Sequence, residues 1–285
     1  MSINGPSCRL HERIDSLREA RDMDQCADPL RPSDMKTKAL FGEAAGRRAP
    51  GGLDAVIAPV PHASLLSIDL AFVAGYVDTV GFVALFGLFT AHVTGNFVMI
   101  GSVVAHQSGS VLLKLLVFPA FISAVALTRL MVLSLEHRNR DPLIPALLLQ
   151  CALLGGFASL GWMATPIRSA DEPLAIWAGL AGAAAMGVQN AAARLVLAGL
   201  APTAVMTGNV TQFVIDGVDL LRGAADNATR RRCVKFFWPI VAFGSGAFGG
   251  AFGYGRAGFA ALLIPILLLL VLALLNRPTP LEQDT

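Results

Sequence analysis

Long apolar runs separated by short polar connections dominate the chain from residue 64 onward. A helix of about 20 apolar residues spans the ~30 Å hydrocarbon core of a bilayer. Six runs have this length: 64–89, 111–135, 142–164, 174–199, 235–256 and 258–276. Two shorter runs, 94–106 and 207–221, would reach only ~20 Å as helices. The pattern predicts an all-α, polytopic membrane protein with six transmembrane helices plus two short broken helices. These either re-enter the membrane or cross it, for eight spans.

Polar and small residues recur in the same order in the two halves of this apolar part. Each half has a break followed by Thr-Gly-Asn, at 94–96 and at 207–209. The matching residues are Gly75, Asp78, Lys114 and Pro119 in the first half, and Gly187, Asn190, Lys235 and Pro239 in the second. The match indicates an internal repeat, with repeat one at about 64–164 and repeat two at about 174–277. Three full crossings per repeat invert the second repeat, which predicts a 3+3 inverted repeat.

The basic residues favour one orientation of the bundle. If the short helices do not cross, ten Lys and Arg residues of the membrane part fall on the side of the N-terminal tail and three fall on the other. Cytoplasmic loops carry the excess of basic residues, so we expect both termini in the cytoplasm. The expected units are a largely disordered tail (1–63), the membrane domain (64–277) and a short C-terminal tail (278–285).

Composition limits the possible chemistry. The chain is 54% apolar and 15% charged, with a net charge of +2, whereas soluble domains average about 25% charged residues. The small net charge does not indicate a nucleic-acid partner. Cys8, Cys26, Cys151 and Cys233 form no CxxC pair, so we expect no disulfide framework, no metal site and no cofactor.

Asp78 is the leading candidate for a functional residue, because it falls near the middle of the first apolar run. A carboxylate there costs at least ~2.5–3.5 kcal/mol on insertion scales, so it should face the bundle interior and have a partner or a task. It either handles a proton or is a neutral acid hydrogen-bonded across helices. His92 is a second proton-handling candidate, with an interfacial turn residue as the alternative.

The corresponding position in the second half is Asn190, next to Gln189. An amide there donates and accepts without the cost of a charge. If the halves pack about a pseudo-twofold axis, Asp78 and Asn190 approach each other near the midplane and form a substrate site. Arg194 is on the same helix face as Asn190 and either joins this site or extends to the cytoplasmic interface.

The two Thr-Gly-Asn turns are further substrate-binding candidates: Thr94, Gly95 and Asn96, and Thr207, Gly208 and Asn209. The threonines are predicted N-caps of the short helices. A helix N-terminus inside a membrane offers free N–H groups to an anion or a carboxylate. Alternatively, the turns only satisfy the break in the backbone. Farther along, Asp216 is expected to meet the basic cluster at Arg222 and Arg230–Arg232.

Two motifs carry a family resemblance: GYVD…GLF…H-x-TGN at Gly75–Asn96 and MGVQNAA…PT…TG at Met186–Gly208. They resemble the YoaK-like family of uncharacterised bacterial membrane proteins (domain of unknown function 1275). The resemblance covers roughly 64–277. It implies a multi-span protein of the bacterial inner membrane and no particular substrate.

The sequence favours a small-solute transporter or permease with a midplane site between two repeats, in which Asp78 supplies proton coupling. The alternative is a non-transporting scaffold that binds another membrane protein. A membrane-embedded enzyme is less favoured because the chain has no GxSxG, no HExxH and no close acidic pair. The expected partners are the lipid bilayer, an unidentified small molecule and, for a homo-oligomer, further copies of the chain.

Overall fold

The structure, a computed structural model, describes residues 62–106 and 110–276. These residues form eight α-helices and one 3-10 helix, with no strand among them. The helices are α1 (His62–Ala84), α2 (Gly95–His106), α3 (Leu112–Glu136), α4 (Leu143–Ala164), α5 (Pro173–Leu195), α6 (Met206–Leu221), α7 (Asn227–Ala257), the 3-10 helix (Gly258–Leu262) and α8 (Leu263–Leu275). The predicted all-α fold is confirmed for this part of the chain. Apart from the first residues of α1, the predicted tails lie outside the described residues.

Five segments are long and apolar enough to cross a membrane, as expected of a multi-pass membrane protein. Four belong to α1, α3, α4 and α5, and the fifth is the 49-residue stretch Asn227–Leu275. This stretch contains both the predicted fifth and the predicted sixth transmembrane helix. A straight helix of that length would measure ~74 Å, more than twice a bilayer core. Gly258 interrupts it, with φ 57° and ψ −139°.

The two predicted short helices are present as α2 and α6. They contain 12 and 16 residues, which corresponds to ~18 Å and ~24 Å. Both are therefore shorter than the hydrocarbon core.

Helices α1 and α7 pack closely and run parallel. A Cβ atom on Gly246 would lie 2.2 Å from the carbonyl oxygen of Phe72, and one on Gly250 would lie 2.5 Å from that of Tyr76. Both contacts advance by four residues in the same direction, so the two helices are parallel. Because these glycines have no side chain, the two backbones can touch.

Helices α3 and α5 form a second parallel pair. A Cβ atom on Gly179 would lie 2.8 Å from the Leu113 side chain, and one on Gly187 would lie 2.9 Å from the carbonyl oxygen of Phe121. Here again the contacts advance in the same direction along both helices.

Helix α5 runs antiparallel to α1 and to α4. The Gln189 side chain donates a 2.8 Å hydrogen bond to the Leu70 carbonyl near the start of α1. Gly179, earlier on α5, faces Leu85 just beyond the end of α1. On the other side, Gln150 of α4 donates to Gln189 at 2.7 Å, and Phe157 faces Gly182, so the order is again reversed.

Helix α8 runs antiparallel to α4. Phe259 in the 3-10 helix packs against Phe157, with ring centroids 5.7 Å apart, whereas Ile266 lies beside Cys151, which is more than one turn earlier in α4.

Together, these helix pairs show that six helices alternate in direction along the chain: α1, α3, α4, α5, α7 and α8.

The beginning of α3 lies beside the end of α1. The Nζ atom of Lys114 donates a 2.9 Å hydrogen bond to the carbonyl of Phe86, and Lys114 is almost fully buried. A cation at this place stabilises the partial negative charge of a helix C-terminus. The chain therefore leaves α1, forms α2 and returns to the same end of the bundle.

Candidate functional site

A sharp turn after α1 directs the chain back along that helix. Phe86 and Gly87 adopt left-handed φ angles of 53° and 76°, and the Gly87 amide donates to the carbonyl of Phe82. This is the geometry that commonly ends a helix. The segment that follows the turn, residues 88–94, is the returning segment, and it lies within reach of the side chains of α1.

Asp78 holds this returning segment. One carboxylate oxygen, Oδ1, accepts hydrogen bonds from the backbone amides of Thr90 and Ala91, both at 2.7 Å, and from the Thr90 hydroxyl at 3.3 Å. The other, Oδ2, lies 2.7 Å from Nδ1 of His92. Asp78 is only 6% exposed. Its expected interior position is confirmed, and the backbone amides that it binds belong to the segment after α1 and not to the start of α2.

The Asp78–His92 pair forms part of the wall of a pocket of about 390 Å³, whose other lining residues are Thr79, Phe82, Phe89 and Phe243. The His92 ring meets the Phe243 ring edge-on, with centroids 5.4 Å apart, and about a third of the His92 side chain is exposed. The pair is thus open to a mostly aromatic space, where it could exchange a proton with an occupant.

The first Thr-Gly-Asn turn is closed by its asparagine. The Asn96 side chain, fully buried, accepts from the Phe89 amide at 3.0 Å and donates to the Phe89 carbonyl at 2.8 Å. The amides of Gly95 and Asn96 donate to backbone carbonyls in the preceding turn. Thr94 precedes α2 as predicted, but its side chain forms no hydrogen bond with the described residues. At this turn the Asn96 side chain and the amides of Gly95 and Asn96, which were expected to bind a substrate, therefore already have partners within the protein.

In the second half the segment 196–205 connects α5 to α6, as 85–94 connects α1 to α2. Gln189, rather than Asn190, forms a hydrogen bond to this segment. Gln189 donates a 3.2 Å hydrogen bond to Oγ1 of Thr203, which has the place along its segment that Thr90 has in the first. Asn190 donates instead to the carbonyl of Met186 in its own helix.

Asp78 and Asn190 do not form one midplane site. Gln189, next to Asn190, contacts Leu70, which is eight residues or ~12 Å along α1 from Asp78. The two residues line separate pockets. The expected approach was wrong because α1 and α5 are antiparallel and staggered.

The second Thr-Gly-Asn turn is only partly closed. Asn209, 1% exposed, donates to the carbonyl of Pro202 at 2.7 Å, as Asn96 does to that of Phe89. The predicted N-cap at Thr207 was wrong, since α6 begins at Met206 after Val205 and has no side-chain cap. A pocket of about 500 Å³ adjoins this turn, and its lining includes Asn190, Arg194, Gly208, Asn209 and Gln212.

Helix α6 is fixed to α7 by an ion pair that confirms the expected contact with the basic cluster. Arg232 donates through Nε at 2.8 Å and through a terminal nitrogen at 2.7 Å to the carboxylate of Asp216, which is fully buried. Gln212 donates to the same carboxylate at 2.9 Å.

The contact of Gln150 with Gln189 and the role of Lys114 as a helix cap were not predicted. The available signal was a polar residue within an apolar run. Within the described residues, no group of three or more His, Cys, Asp or Glu side chains could hold a metal ion.

One family model matches the chain. Its description is a protein of unknown function (DUF1275), and the match covers residues 66–275. No curated protein and no solved structure matches the chain.

Proposed function

We propose that this chain, which belongs to the DUF1275 family of proteins of unknown function, is a small-solute transporter or permease. The observation that carries this proposal is a pair of segments that turn back into the bundle. Asp78 pins the segment after α1, and Gln189 pins the segment after α5.

The proposal includes six crossings and two re-entrant helices. The alternating directions of α1, α3, α4, α5, α7 and α8 support six crossings. The Lys114–Phe86 contact supports a re-entrant α2, because α3 begins where α1 ends. For α6, the contacts of Asp216 with Arg232 and of Phe213 with Phe237 show that it runs antiparallel to α7. It therefore leads back toward the end of the bundle where α7 begins.

The proposal also includes a 3+3 inverted repeat. The matched glycines make equivalent contacts, since a Cβ on Gly75 would lie 2.1 Å from the Phe243 carbonyl oxygen and one on Gly187 would lie 2.9 Å from that of Phe121. The matched asparagines each donate to the carbonyl seven residues earlier. Irregular backbone at membrane depth is tolerated where protein or a water-filled cavity covers it, and transporters with inverted repeats use such breaks as solute sites.

In this proposal the protein lies in the bacterial inner membrane with both termini in the cytoplasm, alone or as a homo-oligomer. The end of α5 and the start of α7 then face the cytoplasm, and the Asp78–His92 pair faces the outer side. Transport involves no covalent chemistry, so no residue has a catalytic role and the chain is not an enzyme.

Proteoliposomes provide the test. Vesicles containing the full chain are exposed to gradients of glycerol, urea, glycine, L-alanine or sodium acetate at two pH values, and re-swelling is followed by light scattering. We expect at least one solute to enter faster than into protein-free vesicles, and Asp78→Asn to change that rate or its pH dependence. The asparagine side chain still has an oxygen that accepts from the two amides, but it has no carboxylate that can gain or lose a proton.

Asp69→Asn is the matched control, because Asp69 is on the same helix and lines neither pocket. Entry at the protein-free rate for every solute, together with one stoichiometric co-purifying partner, would contradict the proposal and favour the scaffold alternative.

A further inference from the structure

The 500 Å³ pocket at the start of α6 contains donors without partners. Arg194 lines it, and among the described residues the guanidinium has neither an ion pair nor a hydrogen bond. The backbone amide of Gly208, which is also in the lining, lacks an acceptor within the described part of the chain, whereas that of the matching Gly95 donates to the carbonyl of His92. No acidic residue is in the lining. This side of the pocket is suited to a carboxylate.

The same pocket contains an acceptor without a partner, and the reason is a single residue. Asn96 Oδ1 accepts from the amide of Phe89. The equivalent residue for Asn209 is Pro202, and proline has no N–H. Oδ1 of Asn209 therefore accepts no hydrogen bond from the described residues, although Asn209 is 1% exposed and lines the pocket.

Two more amide oxygens lie in the lining with the same property. Asn190 donates through Nδ2 to Met186, and Gln212 donates through Nε2 to Asp216. Within the described residues, neither side-chain oxygen receives a hydrogen bond. Among the described residues, only the Tyr76 hydroxyl is a fully buried side-chain group without a partner, so these three oxygens are not sealed inside the protein. They are suited to a group in the pocket that brings several donors, such as an ammonium.

We propose that this pocket binds a small zwitterion of the α-amino-acid class. Arg194 and the amide of Gly208 hold its carboxylate, and the oxygens of Asn190, Asn209 and Gln212 hold its ammonium. Phe236 and Val205, also in the lining, supply apolar surface for a short side chain. The proposal rests on the proposed transport function for its biological role, but binding is measured without transport.

The probes are glycine, L-alanine, L-serine and L-glutamine, with acetate and ethylamine as ligands that carry only one of the two charges. Binding of radiolabelled L-alanine to the full chain in lipid nanodiscs is measured by scintillation proximity, and the other compounds compete. We expect saturable binding of at least one amino acid. Acetate and ethylamine should compete at least about tenfold more weakly, because each loses one set of charge-assisted hydrogen bonds.

Two variants test the two sides of the pocket. Arg194→Gln should weaken binding by about tenfold or more, while Arg138→Gln, an exposed arginine that lines no described pocket, should leave it unchanged. Pro202→Ala supplies the missing amide, which can donate to Asn209 as Phe89 does to Asn96. It should weaken binding about tenfold while the thermal unfolding temperature stays the same or rises.

Three results would overturn the inference: no amino acid binds, acetate competes as well as L-alanine, or Pro202→Ala binds with unchanged affinity. Binding without flux in proteoliposomes would refute transport and leave the site standing. Flux of a solute that is unaffected by Arg194→Gln and Pro202→Ala would refute the site and leave transport standing.

Discussion

Asp78 shows how a carboxylate can be kept inside an apolar bundle. Burying an unpaired charge is costly, and several hydrogen bonds to the charged form offset that cost. Asp78 has two backbone amides, a hydroxyl and His92 as partners. It therefore fixes the returning segment whether or not it also exchanges protons.

Removing this carboxylate should release the segment. We expect Asp78→Ala to lower the free energy of unfolding by about 3 kcal/mol or more, because buried donors lose a charged acceptor. Asp78→Asn should cost clearly less, since its oxygen still accepts from Thr90 and Ala91. Thermal unfolding in detergent, followed by circular dichroism, checks the order.

Equal melting temperatures for the two variants would show that the contacts of Asp78 with the backbone do not hold the segment. A protected, slowly exchanging amide at Ala91 in the wild type but not in Asp78→Ala would locate the effect.

At this scale the sequence identified the polar residues better than their partners. Asp78 was expected inside, but its acceptor role toward Thr90 and Ala91 involves backbone amides, which every sequence has. Gln189 and Asn190 are adjacent in the chain, yet successive side chains on a helix point about 100° apart. Only the packing of α5 shows that Gln189 contacts Thr203.

Close contact between α1 and α7 depends on glycines at the level of whole helices. Lipid tails provide no hydrophobic drive for helix association, so short backbone distances and van der Waals contact provide the attraction. Gly75, Gly246 and Gly250 each face a backbone carbonyl on the partner helix.

A methyl group should separate these helices. Gly246→Ala places a Cβ atom 2.2 Å from the Phe72 oxygen and should destabilise by about 1–3 kcal/mol, as overpacking does. Gly244→Ala, two residues away with no neighbour within 4 Å, should be neutral or slightly stabilising. Thermal unfolding of both variants, at equal lipid content, measures the difference.

An unchanged melting temperature for Gly246→Ala would mean that α1 and α7 are not in tight contact.

The boundaries of α3 and α4 were predicted to within one residue, but α1 ends at Ala84 and α5 at Leu195, before the predicted 89 and 199, because the apolar runs continue into the segments that turn back. Helix α7 begins at Asn227, eight residues before the predicted 235, because Asp226 caps it by accepting from the Thr229 amide at 2.7 Å. The hydrophobic pattern could not include Arg230–Arg232, because these residues are charged. Arg232 pairs instead with Asp216 of α6.

At the scale of the whole molecule, helix direction and charge agree with one orientation. The alternating directions put the end of α3 and the end of α5 on one side, and the end of α4 on the other. Arg138 and Arg194 are then on the side richer in basic residues, and Arg168 is on the opposite side, as the distribution of basic residues favours.

Cysteine labelling measures this orientation. In a background without the four natural cysteines, an impermeant maleimide added to intact cells should label Arg168→Cys and not Arg138→Cys. Both become accessible after permeabilisation, which serves as the control. Labelling of Arg138→Cys in intact cells would contradict the proposed six crossings or their orientation.

The order of matched residues suggested the repeat, and the shared contacts of Gly75 and Gly187 support it. The differences between the halves could not be predicted, because they arise from single replacements such as Phe89 and Pro202. The effect of such a replacement depends on the backbone group that faces the asparagine: Phe89 has an N–H that binds Asn96, whereas Pro202 has none.

Gly258 also bears on how the protein is made. A ribosome delivers residues 236–275 as an apolar stretch in which Arg256 is the only charged residue, and a long helix could form from it in one piece. The backbone at 258, φ 57° and ψ −139°, is a conformation that residues with a side chain rarely adopt. In the proposed six-crossing arrangement, the side of the membrane on which the last helix ends therefore depends on the turn at Gly258, and a side chain there is expected to act already while the protein is being inserted.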